Sequence, residues 1–169
     1  MTAVLKCDSH TVNVSWHAAA GASTYTVLAQ IQNQSIPSSS CHTSATSCNL
    51  TQIPCGEVFN VTVFADDGTC NSSARASTTM ESAPCPPTMR PPSLNCSTNA
   101  ALVSWVKDPD AVSVRVNATS VLGHTASCSS SSNNCSLDAL LCGQTYSVYG
   151  VAQGPQCESA PSAPFTIVT

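Results

Sequence analysis

The chain has 169 residues and a formal net charge of −4, and only 8% of its residues are charged, against about a quarter in ordinary domains. With no basic patch it lacks the electrostatic footprint of a nucleic-acid binder, and 42% hydrophobic residues argue against disorder. No 18-residue apolar run occurs, which predicts no membrane insertion within this chain.

The start, Met1-Thr2-Ala3-Val4-Leu5-Lys6-Cys7, lacks the hydrophobic run of a signal peptide. A fragment of a longer secreted chain is therefore expected. Val12, Val14 and Trp16 alternate with Asn13 and Ser15. Tyr25, Val27 and Ala29 follow the same period, and so do Phe59, Val61, Val63 and Ala65. Period two is the mark of half-buried strands. Short strands between turn residues predict a β-sandwich or barrel, with Trp16 at its centre.

The pattern then recurs. Val103 and Trp105, then Val112, Val114 and Val116, then Tyr146, Val148, Gly150 and Ala152 repeat it about 87 residues later, a period too long for a solenoid and right for a small domain. Cys7 to Trp16 spans the same distance as Cys96 to Trp105. Cys41, Cys48, Cys55 and Cys70 match Cys128, Cys135, Cys142 and Cys157 with identical gaps of six, six and fourteen residues. The register shifts by two between these blocks, which places a deletion after Trp105. The joint falls at Ser82-Ala83-Pro84-Cys85-Pro86-Pro87, giving domains 1–82 and 83–169. Its prolines favour an extended, semi-rigid backbone.

Eleven cysteines in so short a chain indicate an oxidising compartment. Zinc sites favour ligand pairs two to four residues apart, and no Cys-x-x-Cys is present. Eight of ten asparagines head N-x-S/T sequons, against about three by chance. Asn13, Asn33, Asn49, Asn60, Asn71 and Asn117 are the N-glycosylation candidates. Asn95 and Asn134, with Cys in the middle position, rank below them. Glycans would supply the hydration that the few charges do not. The expected location is extracellular, secreted or in the ectodomain of a membrane protein.

Val-Ser-Trp, then Tyr-x-Val, then Leu-x-x-Leu-x-Cys-Gly-x-x-Tyr-x-Val-x-x-x-Ala resembles the fibronectin type III domain, in a cysteine-rich variant. Leu137, Leu140, Gly143, Tyr146, Val148 and Ala152 carry the likeness in the second copy; Leu50, Ile53, Gly56, Phe59, Val61 and Ala65 carry it in the first. The resemblance implies an all-β fold: two tandem immunoglobulin-like antiparallel sandwiches, disulfide-stapled. It places a tyrosine at the corner between strands E and F, where the first copy has Phe59. The lost hydroxyl predicts a stability deficit of about 1 kcal/mol there.

Six cysteines allow fifteen pairings, and the implied topology narrows them. It predicts Cys7–Cys55, Cys96–Cys142 and Cys85–Cys157, with Cys41–Cys48 and Cys128–Cys135 as local clasps across hairpins. Cys70 is expected to be free. Loop entropy gives about 2.5 kcal/mol for a short clasp and about 4 for Cys7–Cys55.

Catalytic chemistry finds no footing. His10, His17, His42 and His124 are scattered and do not recur between copies. Gly-x-Ser-x-Gly, phosphate-loop and His-Glu-x-x-His motifs are missing. Asp66-Asp67-Gly68 and Asp108-Pro109-Asp110 read as tight turns before they read as calcium ligands. The expectation is a non-enzymatic structural or protein-interaction module, with no catalytic residue, metal or cofactor and with extracellular proteins as partners. The alternative is a receptor ectodomain binding through the B–C and F–G loops, which look small and polar. A hydrolase is the remote third.

Overall fold

The computed structural model describes residues 1–32, 34–68 and 71–169, with backbone alone for 71–74. The chain divides into Met1–Ala83 and Pro84–Thr169, one residue beyond the expected joint. Each unit is two antiparallel sheets around its own core. No helix occurs among the described residues.

In the first unit, β1 (Thr2–Lys6), β2 (Thr11–Ser15) and β5 (Ser47–Leu50) form one sheet in the order β1-β2-β5. The other holds β3 (Thr24–Ile31), β4 (Ser39–Thr43), β6 (Val58–Asp66) and β7 (Asn71–Glu81), in the order β4-β3-β6-β7. Successive side chains of a strand point to opposite faces, so the alternation puts Val12, Val14, Tyr25, Val27, Ala29, Phe59 and Val61 inside. Trp16 packs edge-on against Tyr25, ring centroids 5.3 Å apart.

The second unit repeats this. β8 (Thr88–Met89) and β9 (Ser93–Asn95) both pair with β10 (Ala100–Val106), which also pairs with β13 (Asn134–Leu137). The facing sheet runs β12-β11-β14-β15, from β11 (Ser113–Ser120), β12 (Thr125–Ser130), β14 (Thr145–Gln153) and β15 (Phe165–Val168). Trp105 and Tyr146 are the largest wholly buried side chains. The indole N–H of each tryptophan is buried without a hydrogen-bond partner, so both rings serve the core as volume.

The repeat extends to backbone conformation. Non-glycine residues at positive φ recur as His10 (50°) and Asn99 (51°), and as Gln52 and Ala139 (both 58°). Register locates the two-residue deletion. Val27 faces Cys41 and Val63, while Val116 faces Cys128 and Gly150. The shift therefore falls in the turn 121–124 between β11 and β12, which replaces the longer 32–38 connection.

Three expectations change. Val112 was placed on the inward face of a strand, but β11 begins at Ser113 and Val112 lies outside it, exposed. The inward set is Val114, Val116 and Ala118. Cys41–Cys48 and Cys128–Cys135 are bonded, with Cα atoms 6.6 and 6.0 Å apart, but neither clasps a hairpin. β4 and β5 belong to different sheets, as do β12 and β13, so each bond closes the seam between sheets at one edge of a sandwich. Third, the deficit at Phe59 has no physical basis. In the second unit the Leu141 N–H donates to the Tyr146 hydroxyl at 2.9 Å. The counterpart of Leu141 is Pro54, which has no N–H to leave unpaired. Donor and acceptor are absent together, and losing both halves of a buried bond is close to neutral.

A further local device appears three times. Ser82, Ser159 and Ser162 each begin Ser-Ala-Pro. The N–H of each donates to the carbonyl of a residue on the adjacent strand or its approach (Glu57, Ala152 and Gly150), and that residue's N–H donates to the serine Oγ at 2.9 Å. Proline offers no N–H to a ladder, so the serine hydroxyl continues the pairing where the chain becomes proline-rich.

Candidate interaction surfaces

The acidic turns bind their own backbone. Asp108 Oδ1 accepts the Asp110 N–H and its Oδ2 the Cys85 N–H, both at 3.0 Å. Lys107 Nζ donates to the carbonyls of Ala111 and Ser131. Asp66 Oδ1 accepts the Gly68 N–H at 2.6 Å. The histidines sit on separate elements: His42 Nδ1 lies 3.1 Å from Thr26 Oγ1, and His124 Nδ1 lies 2.8 Å from the Tyr146 hydroxyl. Among the described residues no three His, Cys, Asp or Glu side chains gather as metal ligands.

Cys7, Cys55, Cys85 and Cys157 are each disulfide-bonded. Cys70 lies outside the described residues. The expected Cys96–Cys142 bridge is not formed: both are free, exposed thiols. Cys142 Sγ instead donates to Asn99 Oδ1 at 3.1 Å, in the turn that follows Cys96.

Asn13, Asn49, Asn60, Asn95, Asn117 and Asn134 lie in strands. Asn60 is exposed on β6 between Gln30 and Thr79. Asn117 is half-buried on β11, flanked by Ser127 and Tyr149 beside a hollow of about 320 Å³. Asn13 and Asn49 oppose each other across β2 and β5. Asn134 is exposed on β13, and Asn95 Oδ1 accepts the Ser97 N–H at 3.1 Å within its turn. Asn33 and the side chain of Asn71 lie outside the described residues.

A hollow of about 670 Å³ runs along β8 and β15 and includes Pro87, Met89, Pro164 and Phe165, with the exposed Arg90 beside them. Its prolines deny an added strand its N–H donors. Exposed aliphatic side chains gather elsewhere. Val121 (81% exposed) and Leu122 (78%) form the β11–β12 turn, and Ile36 (78%) sits in the corresponding turn of the first unit. Leu141, at the corner before β14, is also exposed. The B–C and F–G loops, expected to be small and polar, lie at the opposite ends of the sandwiches, and even there Val112 is an exception. The signal available was Val121-Leu122-Gly123, an apolar pair beside a turn glycine.

No family model matches the chain. It is 30% identical over 159 residues to "Fibronectin type III domain-containing protein 7" of Mus musculus, covering 92% of this chain and 20% of the mouse protein. The Homo sapiens protein of the same description is 35% identical over 77 residues, 46% of this chain and 10% of that one. The chain thus spans about a fifth or less of the relatives it matches. Among solved structures, a two-domain fibronectin type III segment of chicken tenascin aligns over 95% of this chain and 93% of its own, at 18% identity and TM-score 0.47.

Proposed function

We propose that this chain, a tandem pair of fibronectin type III domains, works as a non-enzymatic protein-interaction module of an extracellular glycoprotein. The carrying observation is the exposed Val121-Leu122 tip, held by a hairpin whose β12 strand is tied to the facing sheet through Cys128–Cys135. Apolar side chains held out in water gain free energy when a partner covers them. The B–C loop of the second domain supports the receptor alternative less well, because Asp108 and Lys107 are already bonded within the domain.

The remaining staples belong to the same reading. An ideal Cβ on Gly154 would lie 2.8 Å from both the Cys157 carbonyl oxygen and Pro84 Cδ. Cys157 therefore sits beside the residue preceding Cys85, which supports Cys85–Cys157. Cys7–Cys55 is proposed because both are disulfide-bonded and because the Cys142–Asn99 hydrogen bond brings the equivalent turn and corner of the second domain together.

The test is secretion of the chain from mammalian cells followed by binding of its tetramerised form to an array of cell-surface ectodomains. Export as a disulfide-bonded glycoprotein is expected, with binding to at least one ectodomain that Val121→Ser with Leu122→Ser abolishes. Retention in the cell despite an export leader, or binding indifferent to that double change, overturns the reading.

A further inference from the structure

Asn13 and Asn49 are Cα partners in the β2–β5 ladder. They head Asn13-Val14-Ser15 and Asn49-Leu50-Thr51. Their neighbours Val12, Val14 and Leu50 are wholly buried, so both asparagines stand on the outer face. Directly opposed side chains have Cβ atoms about 5 Å apart, which leaves no room for two first sugars pointing the same way.

The hydrogen bond between them separates the two. Asn13 Nδ2 donates to Asn49 Oδ1 at 2.9 Å. An N-linked sugar is carried on Nδ2. On Asn13 it would take one of the two hydrogens of the donating nitrogen and crowd the partner that the other hydrogen reaches. On Asn49 it would sit on the nitrogen that this bond does not use, leaving Oδ1 to accept as before. Exposure agrees: Asn49 is exposed, Asn13 half-buried. The second domain has no such pair, since Leu102 faces Ser136 there.

We propose that this pair carries one N-linked glycan, on Asn49, and that Asn13 stays bare as its hydrogen-bond partner. The inference rests on the extracellular glycoprotein reading. Sugar is added to the extended chain before folding, so chains that make this side-chain bond unhindered are those in which Asn13 escaped it.

The chain is secreted from mammalian cells, and its glycans are removed by peptide N-glycosidase in ¹⁸O-water, marking each formerly occupied asparagine. Asn49 is expected to be marked and Asn13 unmarked. Thr51→Ala, which abolishes the Asn49 sequon and keeps its amide, is expected to remove one glycan without shifting it to Asn13. Ser15→Ala is expected to leave the glycan number unchanged. Asn13 marked, alone or with Asn49, overturns the proposal. So does an unmarked Asn49 in a chain marked at Asn60 or Asn117, an outcome that spares the glycoprotein reading. Export with no sequon marked overturns both.

Discussion

Gly150 and Met89 face each other across the second sandwich so closely that an ideal Cβ on Gly150 would lie 2.7 Å from Met89 Sδ and 2.9 Å from Pro87 Cγ. In the first domain Val63 holds the position of Gly150. The glycine is thus the partner of the Pro87–Met89 segment. Gly150→Ala should destabilise the second domain by about 1–3 kcal/mol. Met89→Ala should recover part of that loss, the methionine end being the flexible side of the clash, so the double change should cost less than the sum of the singles. Guanidinium denaturation of the full chain measures this. Trp16 reports the first domain and Trp105 the second, and Trp16→Phe and Trp105→Phe variants assign the transitions.

The corner of each domain makes the opposite demand. Tyr146→Phe removes the hydroxyl that accepts the half-buried Leu141 N–H and meets His124 Nδ1, and should cost the second domain about 1 kcal/mol. The reverse change in the first domain, Phe59→Tyr, should bring no gain, because Pro54 offers the new hydroxyl no N–H. A stabilisation of the first domain by Phe59→Tyr in the same denaturation experiment would contradict this account.

The Ser-Ala-Pro contacts differ in depth, and their contributions should rank accordingly. Ser159 and Ser162 are buried, whereas Ser82 is half-buried. Ser162→Ala leaves the Gly150 N–H unpaired in the interior and should cost about 1–3 kcal/mol. Ser82→Ala, where water can reach the Glu57 N–H, should cost less. Amide hydrogen exchange at Gly150 and Glu57 gives the same ranking at single groups.

Alkylation without reductant should label Cys96 and Cys142 and leave Cys41, Cys48, Cys128 and Cys135 untouched, read by peptide mass spectrometry. A cross-linked Cys96–Cys142 peptide would restore the pairing first expected of them.

The alternation of Val12, Val14 and Trp16, or of Tyr25, Val27 and Ala29, was legible because burying one strand face forces a period of two on the sequence. Repeat and cysteine spacing were legible because they are counts along the chain. What escaped depends on relations across space. Cys41 and Cys48 are seven positions apart, whether they close a hairpin or join two sheets. Val112 fits the period of β11 yet lies beyond its end. Pro54 and Phe59 could be read one by one, but their joint meaning needed the hydrogen bond of the other domain. The Asn13–Asn49 opposition needed the register. Val121 and Leu122 sit in the β11–β12 turn, at the end of the sandwich opposite the loops that the family resemblance implicates.

The placement of the inter-sheet staples bears on how the molecule responds to tension. Each fixes a segment of only seven residues, which withholds about 20 Å of extended chain. Pulled by its two ends, a domain held by such a bond alone would pay out almost its whole contour. Cys85–Cys157, by contrast, would keep nearly all of the second domain inside a closed loop. Cys7–Cys55 would close a shorter loop in the first domain and leave the chain after Cys55 outside it, so under tension the first domain would yield more length than the second.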